Sequence, residues 1–83
     1  MDKILVNLYV PIADVSYDVF IPQDALVGDI LESTVKAVSE LSDGRFFPDR
    51  NTVLCRRDNG EILNINQSVF ELGIQNGSKL MLI

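Results

Sequence analysis

The side chains that could take part in chemistry are few, and the residue types most used in catalysis are almost missing. The chain has one cysteine, Cys55, and no histidine. A thiol becomes a strong nucleophile when a neighbouring base or cation favours the thiolate, and the sequence offers no imidazole for that task or for metal binding. Cys55 lies in a strand-like run, TVLCRR, where a buried free cysteine behaves as a small apolar residue. We therefore predict a structural role for Cys55, no disulfide within the chain and no metal site.

Charged side chains are more numerous, but their pattern indicates neither catalysis nor nucleic-acid binding. Twelve Asp and Glu against seven Lys and Arg give a net charge of −5. The carboxylates fall in predicted turns and on the polar face of a predicted helix, where solvation explains them. Nucleic acids and anionic membranes both need a concentrated basic face. The basic residues Arg56 and Arg57, in a small central cluster of arginines, remain secondary candidates for contact with a protein partner.

The sequence contains no pattern that would hold a cofactor. The segment RDNGEI has too few oxygen ligands, at the wrong spacing, for a calcium loop. The glycines near the end, Gly73 and Gly77, do not form a phosphate-binding motif. We expect a protein without cofactors and without enzyme activity.

The length and hydropathy of the chain predict a single domain over residues 1–83. Hydrophobic residues make up 47% of the sequence, which is enough for a core. No apolar run approaches the ~20 residues needed to span a bilayer. The opening segment MDKILVNLYV is interrupted by polar residues and lacks a cleavage site, so we interpret it as a strand and not as a signal peptide. We expect a cytoplasmic protein without membrane insertion, and the oligomeric state is not predicted.

Two stretches with a period of two residues open the chain and predict an antiparallel hairpin. The first carries apolar residues at alternate positions from Ile4 to Val10, and the second does so from Val15 to Ile21. Only PIAD separates them, which is a hairpin length. If Val10 pairs with Val15, Leu5 lies opposite Phe20 on the face that points away from the core.

An amphipathic helix is predicted in DALVGDILESTVKAVSEL, with Asp24 at or very near the N-cap. At about 100° per residue its apolar side chains share one side. The centre of that stripe is formed by Leu26, Ile30, Ala37 and Leu41, flanked by Val27, Leu31 and Val38. Gly44 is the expected left-handed residue after the helix. In the loop RFFPDRN that follows, at least one of Phe46 and Phe47 is expected to plug the core, and Phe47 is a secondary candidate for partner contact.

The remaining segments predict three more strands and a short turn. A strand at Thr52–Arg57 is followed by an Asn-Gly turn and a short strand at Ile62–Ile65. A single helical turn near Val69–Leu72 and a second Asn-Gly turn precede the last strand, Lys79–Ile83. Two hairpin strands, one helix and a returning last strand predict an α+β β-grasp fold. Its mixed sheet has the strand order 2-1-5-3 with a short fourth strand, and the helix packs across one face.

The whole chain resembles ubiquitin and the bacterial ubiquitin-like proteins. The segments IPQDALVGDI and ELGIQNGSKLMLI resemble the junction before the ubiquitin helix and its closing segment. The resemblance is closer to the YukD/EsaB family of type VII (WXG100) secretion accessory proteins, through SYDVFI and the ending GI-x-NG-x-x-L. It implies a bacterial, non-catalytic and non-conjugated adaptor of a Gram-positive ESX-like secretion system, acting by non-covalent protein binding. The alternatives are a sulfur carrier or ubiquitin-like modifier whose Gly-Gly tail is missing from this sequence, or a regulatory β-grasp subunit of an enzyme complex.

The same strand register predicts an apolar band on the sheet face opposite the helix. Its expected members are Leu5, Phe20, Leu54, Met81 and Ile83. By the resemblance to ubiquitin, Ile83 and Leu54 match positions of its aliphatic recognition patch. A contiguous exposed apolar band on a small acidic domain is typical of a protein-binding site. A register slip of one residue would turn such side chains inward.

Overall fold

A computed structural model of the chain describes residues 2–83, so that the first residue of the predicted 1–83 domain lies outside the described part. Its elements are β1 (Lys3–Val10), β2 (Val15–Pro22), α1 (Val27–Leu41), β3 (Leu54–Arg56) and β4 (Lys79–Leu82). The strands form one sheet in the order β2-β1-β4-β3. β4 runs parallel to β1, and the other pairs are antiparallel. The predicted β-grasp architecture is confirmed. No helix within residues 2–83 combines the length and apolar character needed to cross a bilayer.

The predicted hairpin register is correct. Val10 pairs with Val15, and Leu5 lies opposite Phe20. The alternate side chains Ile4, Val6 and Leu8 are buried in the core. The core face of the sheet is therefore the one that carries these residues, and Leu5 and Phe20 lie on the outer face.

The predicted register of β3 is wrong by one residue. Leu54 pairs with Leu82 and is only 3% exposed, inside the hydrophobic core. Cys55 pairs with Met81, and directly opposed residues share a face of the sheet. The outer-face position predicted for Leu54 thus belongs to Cys55. β3 has only three residues, so its register is set by one large apolar side chain, Leu54, which lies opposite Leu82 on the core face.

The predicted short strand at Ile62–Ile65 is reduced to one bridge between Ile62 and Cys55. Leu63 still donates a backbone hydrogen bond to the carbonyl of Leu54, over 2.9 Å. Pairing stops at the next residue because Asn64 begins a turn, and its side-chain oxygen accepts a hydrogen bond from the amide of Asn66. An asparagine that binds its own downstream backbone competes with a strand ladder.

The helix begins at Val27, two residues later than an N-cap at Asp24 predicts. Its N-cap residue, Leu26, makes no side-chain capping bond. Instead, the amides of Val27 and Gly28 donate to the carbonyls of Gln67 and Ile65 over 2.9 and 3.0 Å. A distant backbone segment therefore satisfies groups that a capping side chain usually binds.

Gly28 is explained by this contact. A Cβ atom at Gly28 would lie 3.2 Å from the carbonyl oxygen of Ile65. Glycine lowers the helix propensity at this position by ~1 kcal/mol relative to alanine, but it allows the two backbones to approach closely.

The buried stripe of α1 is rotated from the predicted one. Val27, Thr34 and Val38 are buried, whereas Leu26 and Leu41 are 45% and 65% exposed. Leu26 precedes the helix, so the helical period does not apply to it. Leu41 lines an open groove between α1 and the edge strand β2.

The predicted single turn at Val69–Leu72 is present and carries a capping box that the sequence analysis did not identify. The amide of Ser68 donates to Oε1 of Glu71 over 2.9 Å. The amide of Glu71 donates to Oγ of Ser68 over 3.0 Å. These reciprocal bonds fix the turn and hold Val69 in the core, where it is 1% exposed. The hydrogen bond from the Ser68 amide, and a smaller contribution from its side chain, also lower the pKa of the Glu71 carboxyl, because they favour its charged form.

Candidate protein-binding face

The structure divides the predicted outer band into separate parts. Leu5 and Phe20 lie side by side at one end of the outer face and are 37% and 67% exposed. Met81 is half-buried, and Ile83 is 50% exposed at the opposite end. Leu54 belongs to the core, so its assignment to this face is wrong. The predicted five-residue band does not exist as one continuous surface.

A polar belt separates the two ends. It consists of Asp18, Asn7 and Arg57, which follow one another across the outer face from β2 to the end of β3. The amide nitrogen Nδ2 of Asn7 donates to Oδ1 of Asp18 over 3.3 Å. Nη1 of Arg57 donates to Oδ1 of Asn7 over 3.2 Å. Lys79, which pairs with Asn7, adds a second exposed cation to the same row.

Tyr9 borders this belt and is held from two sides. Its hydroxyl donates to Oδ1 of Asp14 in the hairpin loop, over 3.0 Å. The guanidinium of Arg57 lies 4.5 Å from the ring centroid. The hydrogen bond to Asp14 raises the pKa of the Tyr9 hydroxyl, with smaller upward contributions from burial and from the Asp14 charge, while the Arg57 charge opposes the rise.

Beyond the belt, three exposed apolar side chains surround one groove at the end of the sheet. Ile12 in the β1–β2 loop, Phe47 after the helix and Ile83 after β4 all line it. Their exposures are 72%, 80% and 50%. We call Ile12, Phe47 and Ile83 the sheet-end patch. Single exposed apolar residues are ordinary on protein surfaces, but three from different segments around one groove are typical of a contact site.

Hydrogen bonds hold Ile83 and the segment that carries Phe47 in place. Ile83 and Val53 exchange two backbone hydrogen bonds, of 2.8 and 3.0 Å, which extend the β3–β4 ladder. Phe46 is 5% exposed in the core, as predicted for one of the two phenylalanines, and its amide donates to Oγ of buried Ser42. Anchoring Phe46 leaves its neighbour Phe47 outside, on the surface.

Ile12 is the member of the sheet-end patch that the sequence analysis missed. The signal was an isoleucine in the four-residue hairpin loop PIAD. Such loops favour Gly, Asn, Asp and Pro because these residues suit the backbone conformation of a tight turn. An isoleucine has no such conformational advantage. The exposed side chain of Ile12 is notable because it lines the same groove as Phe47 and Ile83.

The other candidate groups serve the structure. Cys55 is fully buried, as its predicted structural role requires, and burial raises the pKa of its thiol. Arg56 donates from Nη2 to the carbonyl of Leu72 and pairs with Glu61 at 3.6 Å. Arg57 belongs to the polar belt. Between residues 2 and 83, no three His, Cys, Asp or Glu side chains come together in a way that could hold a metal ion.

Comparison with solved structures defines the class of protein. The EccD5 ubiquitin-like domain from Mycobacterium xenopi matches with a TM-score of 0.81 and 24% identity, over 100% of this chain and 94% of that one. The ubiquitin-like domain of the Mycobacterium tuberculosis type VII secretion protein ECCD1 matches with a TM-score of 0.79 and 20% identity, over 100% and 99%. A chain of the MycP5-free ESX-5 inner membrane complex matches with a TM-score of 0.81 and 22% identity, over 100% of this chain and 21% of that one. The fold is that of a ubiquitin-like domain.

The family is shown by a match to its model over residues 5–82, described as "WXG100 protein secretion system (Wss), protein YukD". The chain belongs to the YukD family, as the resemblance indicated. It is therefore a ubiquitin-like protein of the secretion-associated kind. The search of curated proteins found no match.

Proposed function

We propose that this YukD-family protein is a non-catalytic, cytoplasmic adaptor of a type VII secretion system, and that it binds a protein partner non-covalently through the sheet-end patch. The observation that carries the proposal is the exposure of Ile12, Phe47 and Ile83 around one groove. Nothing in the packing of the core requires these three side chains to be apolar. Burial against a partner would remove them from water, which is the main source of favourable free energy at an interface.

Family and fold together support a proposal for the kind of partner. The YukD family is described as part of the WXG100 secretion system, and a similar domain occurs within a chain of an ESX-5 inner membrane complex. These likenesses support a secretion-system component as the partner. With a net charge of −5, the protein is suited to a partner with a neutral or basic rim around its apolar centre.

The remaining predicted outer-face residues take a lesser part in this proposal. Met81 is half-buried on the strand that leads to Ile83. Leu5 and Phe20 lie on the other side of the polar belt. We assign them to the margin of the contact, where truncation costs little. Arg57, in the belt, is available to a partner only at its exposed edge.

The test is partner capture from a native lysate with single variants of the full chain. An apolar anchor at an interface centre contributes ~2 kcal/mol, or about 30-fold in affinity. We expect Phe47→Asp and Ile12→Asp to weaken capture by at least that factor, since each buries a charge against an apolar partner. Phe20→Asp should weaken it much less.

Phe70→Asp is the matched control. Phe70 is 64% exposed, similar to Phe47, but it does not line the groove. Circular dichroism melts would show that all variants stay folded. Unchanged capture by folded Phe47→Asp and Ile12→Asp would refute the sheet-end patch as the site. A covalent higher-mass species that survives boiling in detergent would refute the non-covalent mechanism.

A further inference from the structure

A second apolar groove, distinct from the sheet-end patch, lies between the edge strand β2 and α1. It has a volume of about 540 Å³. Its floor is formed by the core-facing side chains of β2, among them Tyr17 and Val19, which are only half-buried. Its far wall is a helical stripe that includes Ile30, Ala37 and Leu41. The helix therefore leaves part of the apolar face of β2 uncovered.

The outer edge of β2 has free hydrogen-bonding groups next to this groove. On β1, Asn7 donates its backbone amide to Ser78, and Leu5 accepts at its carbonyl from Gly77, over 2.9 and 2.8 Å. These groups point toward β4 and not toward β2. In an antiparallel pair, the residues opposite them point the other way. Asp18 and Phe20, which lie opposite, thus direct their backbone N–H and C=O groups to the open edge of the sheet.

An edge strand beside an apolar groove is suited to an extended peptide. A strand added about 4.8 Å from β2 would use the free backbone groups. Every second side chain of that strand would point into the groove. The small side chain of Ala37 leaves room for them, and exposed Leu41 would become covered.

The charge of the groove favours a basic peptide over a second copy of this chain as its occupant. The carboxylate of Asp29 lines it, the carboxylate of Asp18 lies on the outer side of the same edge strand, and no Lys or Arg among residues 2–83 lines the groove. Pairing of β2 with β2 of a second copy would bring two acidic edges together, which like-charge repulsion disfavours. A peptide with basic residues beside its apolar positions would be attracted instead.

We propose that β2 and α1 form a second binding site, which takes an extended segment of another protein as an added strand, with alternating aliphatic side chains and basic flanks. This inference goes beyond the proposed adaptor function and uses a different surface. It gives the domain two separate contacts, one by side-chain burial at the sheet-end patch and one by backbone pairing at β2.

The test uses a peptide library in which alternate positions vary among Val, Ile, Leu and Phe between lysine flanks. Selected peptides would be titrated into the isotope-labelled full chain and followed by NMR. We expect chemical-shift changes at β2 and α1 and slower hydrogen exchange at the amides of Asp18 and Phe20, which strand addition alone would protect.

Ala37→Gln, which fills an exposed helical position, should weaken binding at least tenfold. Asp29→Asn should weaken it several-fold and reduce its salt dependence.

Glu32→Gln is the control for a change of charge outside the groove, and it should bind as the parent does. Phe47→Asp should also bind the peptide normally, which keeps this test independent of the sheet-end patch. Absence of shifts at millimolar peptide, or shifts confined to the sheet-end patch, would overturn the proposal. So would self-association through β2 that excludes the peptide, since the occupant would then be a second copy.

Discussion

The guanidinium of Arg57 lies 4.5 Å from the ring centroid of Tyr9, and this contact joins the end of β3 to β1 across the intervening strand. Arg57 also binds Asn7, and Asn7 binds Asp18. The result is a line of polar contacts across the whole outer face. Such a belt separates the apolar ends of that face, and the proposed contact is therefore centred on the sheet-end patch.

The first prediction concerns the titration of Tyr9. The hydrogen bond to Asp14 raises the pKa of the Tyr9 hydroxyl, because it stabilises the protonated phenol. Asp14→Ala should therefore lower this pKa, and Arg57→Leu should raise it. Ultraviolet titration of tyrosinate in a Tyr17→Phe background would report Tyr9 alone. Equal pKa values in the parent and both variants would contradict the contacts described for Tyr9.

The second prediction concerns acid stability. The folded-state pKa of Glu71 is lowered from its ordinary value of 4.5, so the unfolded state binds its proton more readily. The capping box therefore adds stability above pH 4.5 and loses it as pH falls through the lower folded-state value. Denaturant midpoints should show Glu71→Ala less stable than the parent at pH 7, with a smaller difference in strong acid. A difference that does not change with pH would argue against the ionised capping box.

The third prediction separates core from surface within the predicted band. Leu54→Ala should cost about 2–5 kcal/mol of unfolding free energy, as expected for a buried leucine. Leu5→Ala, on the outer face at 37% exposure, should cost much less. Urea denaturation of both variants gives the comparison. Equal costs would mean that β3 does not have the register described here.

The fourth prediction concerns Cys55. Its thiol is buried and its pKa is raised, so both access and thiolate fraction are reduced. A disulfide reagent at neutral pH should modify the folded protein more than an order of magnitude more slowly than the protein in denaturant. Stopped-flow absorbance would measure both rates. Rapid modification of the folded protein would place Cys55 on the surface.

Particular residues show why the sequence predicted the fold better than the site. The hairpin register followed from Val10 and Val15, because alternation over eight residues on each strand leaves little freedom for a shift in pairing. β3 has three residues, so its periodicity could not distinguish Leu54 from Cys55. The start of the helix depends on hydrogen bonds to the carbonyls of Ile65 and Gln67. These residues lie some 40 positions away, so the local sequence pattern cannot predict this contact.

The sheet-end patch was only partly predictable for a similar reason. Ile83 was expected on the outer face from strand alternation, and Phe47 from its neighbour's role in the core. Their meeting with Ile12 depends on how three loops and strand ends come together. Periodicity describes faces within an element, whereas this site lies between elements.

The central position of β4 has a consequence for how the chain folds as it is synthesised. β4 lies between β1 and β3, yet it is the last strand to leave the ribosome. Until it emerges, β3 has no neighbour in the sheet, and Leu54 and Leu8 lack their partners on β4, Leu82 and Leu80. The β1–β2 hairpin can form early because its contacts are local, but closure of the core must wait for Leu80 and Leu82. Folding of this domain must therefore wait until β4 has left the ribosome.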